Sequence, residues 1–237
     1  MESVMVRVIN EKEIDVKTEA LTLLKEEVLT MGRGVESTVQ ELTRMLKKDP
    51  AASLARMEDG EERINRQCME IEEHCLELLV DKDKEVMNER VIRSLVSTIL
   101  IATKLERMAD HAIRIAKVAD WAREEEIDVP DELIEMSQTV GHMVQETLLV
   151  FLSDAPDKAI EVMRRDNAVN YLHDVLSKRL LSDLGEQDTQ QAQMRMQFLF
   201  CTRFLERMGD ACGSIAKRVY FIATGKRLKA AATKVET

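Results

Sequence analysis

The apolar positions of this chain recur at every third or fourth residue. Thr98, Ile101, Leu105, Met108, Ala112, Ile115 and Ala119 form the clearest run, and this spacing lines one face of an α-helix. Six helical segments follow from the pattern and its interruptions. The first spans about Glu13 to Lys48 and stops at Pro50, and the second spans about Ala51 to Val80. A charged turn, Asp81 to Lys84, leads into a third from about Glu85 to Arg123. The fourth spans Asp131 to Leu152, and Ser153-Asp154-Ala155-Pro156 then reads as a stop followed by a start. The fifth spans Asp157 to Leu184, with Gly185 placed as a C′ glycine. The sixth spans Thr189 to Thr224 and Gly225 closes it. The acidic stretch Glu124 to Glu126, followed by Asp128 to Pro130, is the one strong break. It divides the chain into a three-helix unit at 1–125, a second at 126–226 and a basic tail at 227–237 that is expected to fray.

Composition agrees with an all-α fold. The 237 residues are 45% hydrophobic and 33% charged, enough apolar material for a core. Eight Gly, three Pro, five Phe, two Tyr and one Trp leave too few turn and strand formers for a sandwich or barrel. A net charge of −10 argues against nucleic acid, which needs a basic face to displace counterions. The longest apolar stretch, Leu95 to Ala102, already contains Ser97 and Thr98. A bilayer span needs about 20 apolar residues, so none is expected. The opening MESVMVRVIN lacks the basic region and apolar run of a signal peptide. Cys68, Cys75, Cys201 and Cys212 form no CxxC and sit inside helical patterns, so they read as buried thiols of a reducing cytoplasm.

The two halves share a motif. Residues 105–117 read LERMADHAIRIAK and residues 205–217 read LERMGDACGSIAK, identical at eight of thirteen positions with a shift of 100. Chance does not give that match at equivalent places on the third and sixth helices. The second and fifth helices align at a shift of 105, EERIN at 61–65 against DNAVN at 166–170. The fold expected is a tandem repeat of two antiparallel three-helix bundles.

The motif carries candidate chemistry. Glu106 and Asp110 are four apart, as are Glu206 and Asp210, so each pair projects from one face about 40° and one turn apart. Like charges there repel, and repeating them in both halves asks for a compensating cation. Glu106 sits at the margin of the apolar arc, near Ile99 and Ile113; Glu206 is flanked by Thr202, Gly209 and Gly213. Glycine inside a helix costs about 1 kcal/mol against alanine, so these two suggest close approach of another group. Glu61 and Asn65 on the second helix, and Asp166 and Asn170 on the fifth, form matching polar pairs at the apolar margin, with Glu72 a weaker addition. If each of these helices packs antiparallel against the motif helix, every repeat gathers oxygen donors only. That donor set suits hard cations or carboxylate-bridged iron and manganese rather than thiolate zinc. The competing reading is a pair of solvated acidic faces.

Other residues carry less. Arg107 and Arg207 turn about 100° from the preceding glutamate, and are expected in surface or interface ion pairs rather than at a substrate. His173 reads as a core or margin histidine. The 14 methionines lie mostly on apolar stripes and fill the core. No GxSxG, P-loop, Rossmann glycines or HExxH occurs, and no histidine follows a glutamate by three, as ferritin-like di-iron bundles require. The expectation is a protein that is not an enzyme.

LERMADHAIRIA and LERMGDACGSIA resemble the twice-occurring signature of the PhoU family, the phosphate-uptake regulators of bacteria and archaea, over about residues 10–224. Arg93, thirteen before Glu106, is similar to the arginine of that family's third-helix pattern; Gln193 stands there in the second repeat. The resemblance implies a cytoplasmic pair of three-helix bundles that binds multinuclear metal clusters on E(D)xxxD motifs. It implies restraint of the phosphate ABC transporter, damping of a phosphate-sensing histidine kinase, and self-association, with a homodimer as the expected form. Any link to a membrane would run only through those partners. Carried over by position, Glu106, Asp110, Glu206 and Asp210 match the motif. Asn65 and Asn170 stand where the family often has Asp, so each site has one charge fewer. The metal implied is iron, zinc, manganese or magnesium, on Glu61, Asn65, Glu106 and Asp110 in one repeat and Asp166, Asn170, Glu206 and Asp210 in the other. Alternatives are a carboxylate metal-storage bundle and a metal-free helical adaptor.

Overall fold

The structure, a computed structural model, describes residues 2–80, 88–153, 156–182 and 189–228. Six helices make up the fold: α1 (Glu2–Leu46), α2 (Leu54–Val80), α3 (Glu89–Glu124), α4 (Asp131–Ser153), α5 (Pro156–Ser182) and α6 (Thr189–Thr224). α1 starts well before Glu13, because nothing in MESVMVRVINEK is a glycine or proline that would interrupt it. α3 starts at Glu89 rather than Glu85. Asn88 is its N-cap, the side-chain oxygen accepting the Val91 N–H at 3.0 Å. The Asp81 to Lys84 turn, the Gly185 stop and most of the basic tail lie outside the described residues.

Two helix ends use a device that the sequence hid. At the end of α1 the Asp49 N–H reaches Arg44 O and the Lys48 N–H reaches Met45 O, with Lys48 at φ 57°. At the end of α3 Ile127 and Glu126 repeat this with Ala122 and Arg123, Glu126 at φ 56°. Both are Schellman closures with a charged residue in the left-handed position usually given to glycine.

α1, α2 and α3 pack on one another, and so do α4, α5 and α6. The halves meet along two seams, α1 on α4 and α3 on α6. Both seams are antiparallel. Thr43 meets Ser137 at 3.0 Å while Lys25 lies over the Phe151 ring; Arg93 reaches Ile222 O while the His111 ring stacks on Phe204 at 5.1 Å. Residues of all six helices join one continuous buried core, with Leu105, Met108, Leu205 and Met208 at its centre.

Among the described residues, one charged side chain is built into this apolar frame. Glu41 of α1 is 6% exposed. It accepts the Ser53 N–H at 2.9 Å and the Arg56 guanidinium at 2.6 Å, and pairs with Arg44. Burial pushes its pKa up, but the Ser53 N–H and the two arginines outweigh that and hold it below the ordinary 4.5. This carboxylate fastens the start of α2 to α1. Glu41→Ala is expected to cost about 1–2 kcal/mol by chemical denaturation at pH 7. A depressed pKa means that the contribution is complete above the unfolded value and is lost as pH falls through the folded one. The penalty should therefore shrink on acidification below 4.5, and a penalty independent of pH would contradict the assignment.

Candidate metal centre

Antiparallel packing of α2 on α3 and of α5 on α6 brings the predicted donors to common faces. In the first repeat the Glu106 pKa is raised by burial first, then by Asp110, Glu61 and Glu72, with Arg107 opposing. Glu61 and Glu106 therefore share one electrostatic neighbourhood. Glu72, a weak candidate in the sequence, accepts the Thr103 hydroxyl at 3.4 Å and so bridges α2 to α3. Asn65 is half-buried beside them. Asp110 faces differently: Arg114 Nε donates to both its oxygens, at 3.0 and 3.2 Å. The Asp110–Arg114 spacing of four was visible in the sequence and is a familiar helix ion pair. Its equivalent in the second repeat is Ser214, so Asp210 has no such partner on its own helix.

The second repeat is tighter. Asp166 has its pKa pushed up to about 6, by burial first, then by Asp210 and Glu206, against the Asn170 bond and Lys217. Asn170 Nδ2 donates to Asp166 Oδ2 at 3.3 Å. The other oxygen, Oδ1, is buried without a hydrogen-bond partner, and so is Glu206 Oε2. Glu206 Oε1 accepts Arg203 Nη1 at 2.6 Å. Gly209 leaves the room for Asp166, since a Cβ there would lie 2.8 Å from Asp166 Oδ1. Gly213, expected to serve the same end, faces open space with nothing within 4 Å. The first repeat has Ala109 where the second has Gly209, so the two sites are not copies.

Among the described residues no three His, Cys, Asp or Glu side chains already converge as a metal cage. Arg114 and Arg203 draw Asp110 and Glu206 along their own helices. The second repeat nevertheless fits a cation. Two buried carboxylate oxygens lack any proton donor, and a raised carboxylate pKa marks repulsion that positive charge relieves. Gly209→Ala tests that fit. The substitution adds about 1 kcal/mol of helix propensity, which offsets displacement of the Asp166 tip. Metal-free stability should change little while metal bound at the second repeat falls, read by denaturation and elemental analysis. Unaltered metal content would exclude Asp166 as a ligand.

Three further groups stand around these faces. His173 Nδ1 lies 3.1 Å from Thr202 Oγ1 and within 3.5 Å of Ser177, a polar tie between α5 and α6. All four cysteines are buried and free. Arg107 and Arg207 depart from expectation: neither enters an ion pair among the described residues. Both point instead toward the α3–α6 seam, where with Lys104 they line a groove of about 540 Å³. No described helix is long and apolar enough to cross a membrane.

Comparison with known proteins agrees with this architecture. The chain is 29% identical over 206 residues to a phosphate-specific transport system accessory protein PhoU homolog of Clostridium acetobutylicum, covering 86% of this chain and 93% of that protein. It is 22% identical over 207 residues to the accessory protein PhoU of Escherichia coli K12, covering 87% and 84%. Crystal structures of the phosphate transport system regulatory protein PhoU from Streptococcus pneumoniae and of PhoU from Pseudomonas aeruginosa share the fold. Their TM-scores are 0.79 and 0.81, at 23% and 24% identity, covering 90% and 88% of this chain and 99% of each of theirs. The PhoU domain profile matches twice, at residues 28–119 and 133–219, once on each side of the break before α4. A six-helix fold built from a doubled unit, with the profile satisfied in both copies, places the chain in the PhoU domain family.

Proposed function

We propose that this protein is a non-enzymatic accessory regulator of phosphate transport. It would act in the cytoplasm by contact with a phosphate ABC transporter, with a phosphate-sensing histidine kinase, or with both, and would self-associate as a dimer. The observation that carries the reading is the double match to the PhoU domain, supported by relatives named as phosphate-transport accessory proteins over most of their own length. Among the described residues the half-buried His173 is tied to Thr202 and Ser177 as a polar link between α5 and α6.

The carboxylate faces enter this reading as metal-binding regulators of shape. Asp166, Glu206 and Asp210, with Asn170 alongside, would hold a hard cation in the second repeat. Glu61, Glu106 and Asp110, with Asn65, would do so in the first once Asp110 leaves Arg114. A cation bound there contributes charge neutralisation, and the donors on α2 and α5 become tied to those on α3 and α6. Partner-facing surfaces of each bundle then depend on metal occupancy.

The regulatory reading is tested in cells. Deleting the gene should leave phosphate uptake high and a phosphate-starvation reporter active in phosphate-rich medium, and complementation should restore both. Normal repression in the deletion strain would overturn it. The cation reading is tested separately, by elemental analysis of the Glu206→Ala, Asp210→Ala double variant against the parent protein.

A further inference from the structure

We propose that the groove between α3 and α6, at the pseudo-twofold axis relating the two repeats, binds one orthophosphate through Lys104, Arg107 and Arg207. The stacking of His111 on Phe204, with Arg93 against Ile222, centres the antiparallel crossing near Arg107 and Met108 of α3 and Arg207 and Met208 of α6. The duplicated motif therefore meets itself there. Arg107 and Arg207, which are equivalent residues of the two repeats, both line the one groove, with Lys104, Asp110, His111 and Asp210.

Charge makes the groove unusual for this molecule. The protein carries a net charge of −10, and on the neighbouring turns of the same two helices Arg114 and Arg203 are each engaged by a carboxylate. Lys104, Arg107 and Arg207 are in none of the ion pairs of the described residues, although Asp110 and Asp210 line the same groove. Against these three cations stand two carboxylates, Asp110 and Asp210, of which Asp110 is already held by Arg114, so the lining keeps an excess of positive charge that a bound oxyanion offsets. Guanidinium forks suit the oxygens of a tetrahedral anion.

Divergence between the repeats has shaped one end for this. Position 204 is Phe where 104 is Lys, and position 211 is Ala where 111 is His. At one end of the groove the His111 and Phe204 rings stack, with Arg114 over the Phe204 ring at 6.0 Å, and that end is filled. At the other, by the antiparallel pairing, Lys104 faces the small Ala211, which leaves space beside a cation. His111 Nδ1 is buried at the groove wall without a hydrogen bond, 3.9 Å from Asp110 Oδ2.

The carboxylates in the lining select among oxyanions. Asp110 and Asp210 repel any anion, but each retains acceptor sites. Orthophosphate at neutral pH carries at least one proton to donate to such an acceptor; sulfate carries none, and a fully ionised phosphate monoester carries none. A site holding both cations and carboxylates is therefore matched to orthophosphate. This inference gives the proposed regulator a ligand and rests on that reading only for its biological meaning, because the groove and its charges stand without it.

The test is calorimetric titration of the full chain with sodium phosphate at pH 7.5, with EDTA present so that no metal-bridged phosphate contributes. Saturable binding near one phosphate per chain is expected, with sulfate and ATP each at least about tenfold weaker. Lys104→Met and the Arg107→Ala, Arg207→Ala double variant, whose helicity is checked by circular dichroism, should each weaken it by about tenfold or more. No saturable binding up to about 10 mM would overturn the proposal. So would equal affinity for sulfate, tighter binding of ATP, or unchanged binding in the folded variants. Loss of this site in vitro while the deletion strain still shows derepressed uptake would reject the phosphate site and leave the regulatory reading standing.

Discussion

In metal-free protein at pH 7.5, Asp166→Asn should raise the free energy of unfolding by about 2–3 kcal/mol. The gain arises because the folded protein holds this carboxylate against its preference. Its pKa moves from 3.8 to about 6, by burial and then by Asp210 and Glu206. A carboxylate whose folded pKa lies above its unfolded one binds more protons in the native state, so it costs stability as pH rises through that interval. The whole cost is present above about pH 6 and vanishes below about 3.8. Asparagine keeps the oxygen that accepts from Asn170 and removes the charge. The difference between the two proteins should therefore grow between pH 4 and 6 and level off above it, as read by urea unfolding at a series of pH values. Equal stability at pH 7.5 would show that Asp166 is not under electrostatic load.

The same substitution reverses its effect once a cation is supplied. Any ion that binds only the folded state stabilises it by mass action. It should raise the melting temperature of the parent protein and do so less for Asp166→Asn, which offers a weaker ligand and no charge. A residue that destabilises the empty protein and stabilises the loaded one is the physical signature of a binding site rather than of a structural ion pair. Asp110, neutralised by Arg114 at 3.0 Å, should show a much smaller gain on conversion to asparagine.

The doubled motif made the fold legible in the sequence. Eight shared positions between 105–117 and 205–217, helical spacing throughout, and a break before Asp131 were enough to arrange six helices as two bundles. Helix ends were less legible, because Lys48 and Glu126 close α1 and α3 in conformations normally signalled by glycine. Of the candidate site, spacing singled out Glu106, Asp110, Glu206 and Asp210, and the matched pairs singled out Glu61 and Asp166, whose charges the fold brings near Glu106 and near Glu206 and Asp210. Spacing did not give their present partners. Arg114 lies four residues after Asp110 on the same helix, so a local ion pair competes with the distant donors. Glu41 was hidden for another reason: its burial depends on the Ser53 backbone and Arg56 across a turn, which no periodicity encodes. The angle of Arg107 and Arg207 relative to the preceding glutamate predicts ion pairs. What decides their surroundings is the crossing of α3 with α6, and a helical wheel of one helix carries no information on that. The same crossing explains Arg93. It lies over Phe221, and Gly225 at φ 71° approaches it so closely that a Cβ would sit 3.1 Å from Nη1.

Leu105→Ala should lower stability by about 3–5 kcal/mol, the upper part of the range for a leucine in a rigid core. Leu105 is 2% exposed. With Val28, Ile101 and Met108 of the first repeat it surrounds a small void whose other walls are Val144, Thr147, Leu148, Phe151, Cys212 and Ile215 of the second. That void has room for about 10 Å³ only, so the chain around it is already closely packed and cannot collapse into the space left by three methyl-sized groups. For a protein of 237 residues the loss corresponds to a fall in melting temperature of about 6–20 °C. The form of the transition matters as much as its position. Because the damaged residue contacts both repeats, and because the core is continuous across both seams, the melt should move as one cooperative step. Separation into two steps, with one left at the parent temperature, would mean that the bundles fold independently. The seams would then be surfaces between finished units, and a ligand held at the pseudo-twofold axis could change how the bundles sit together without loosening either one.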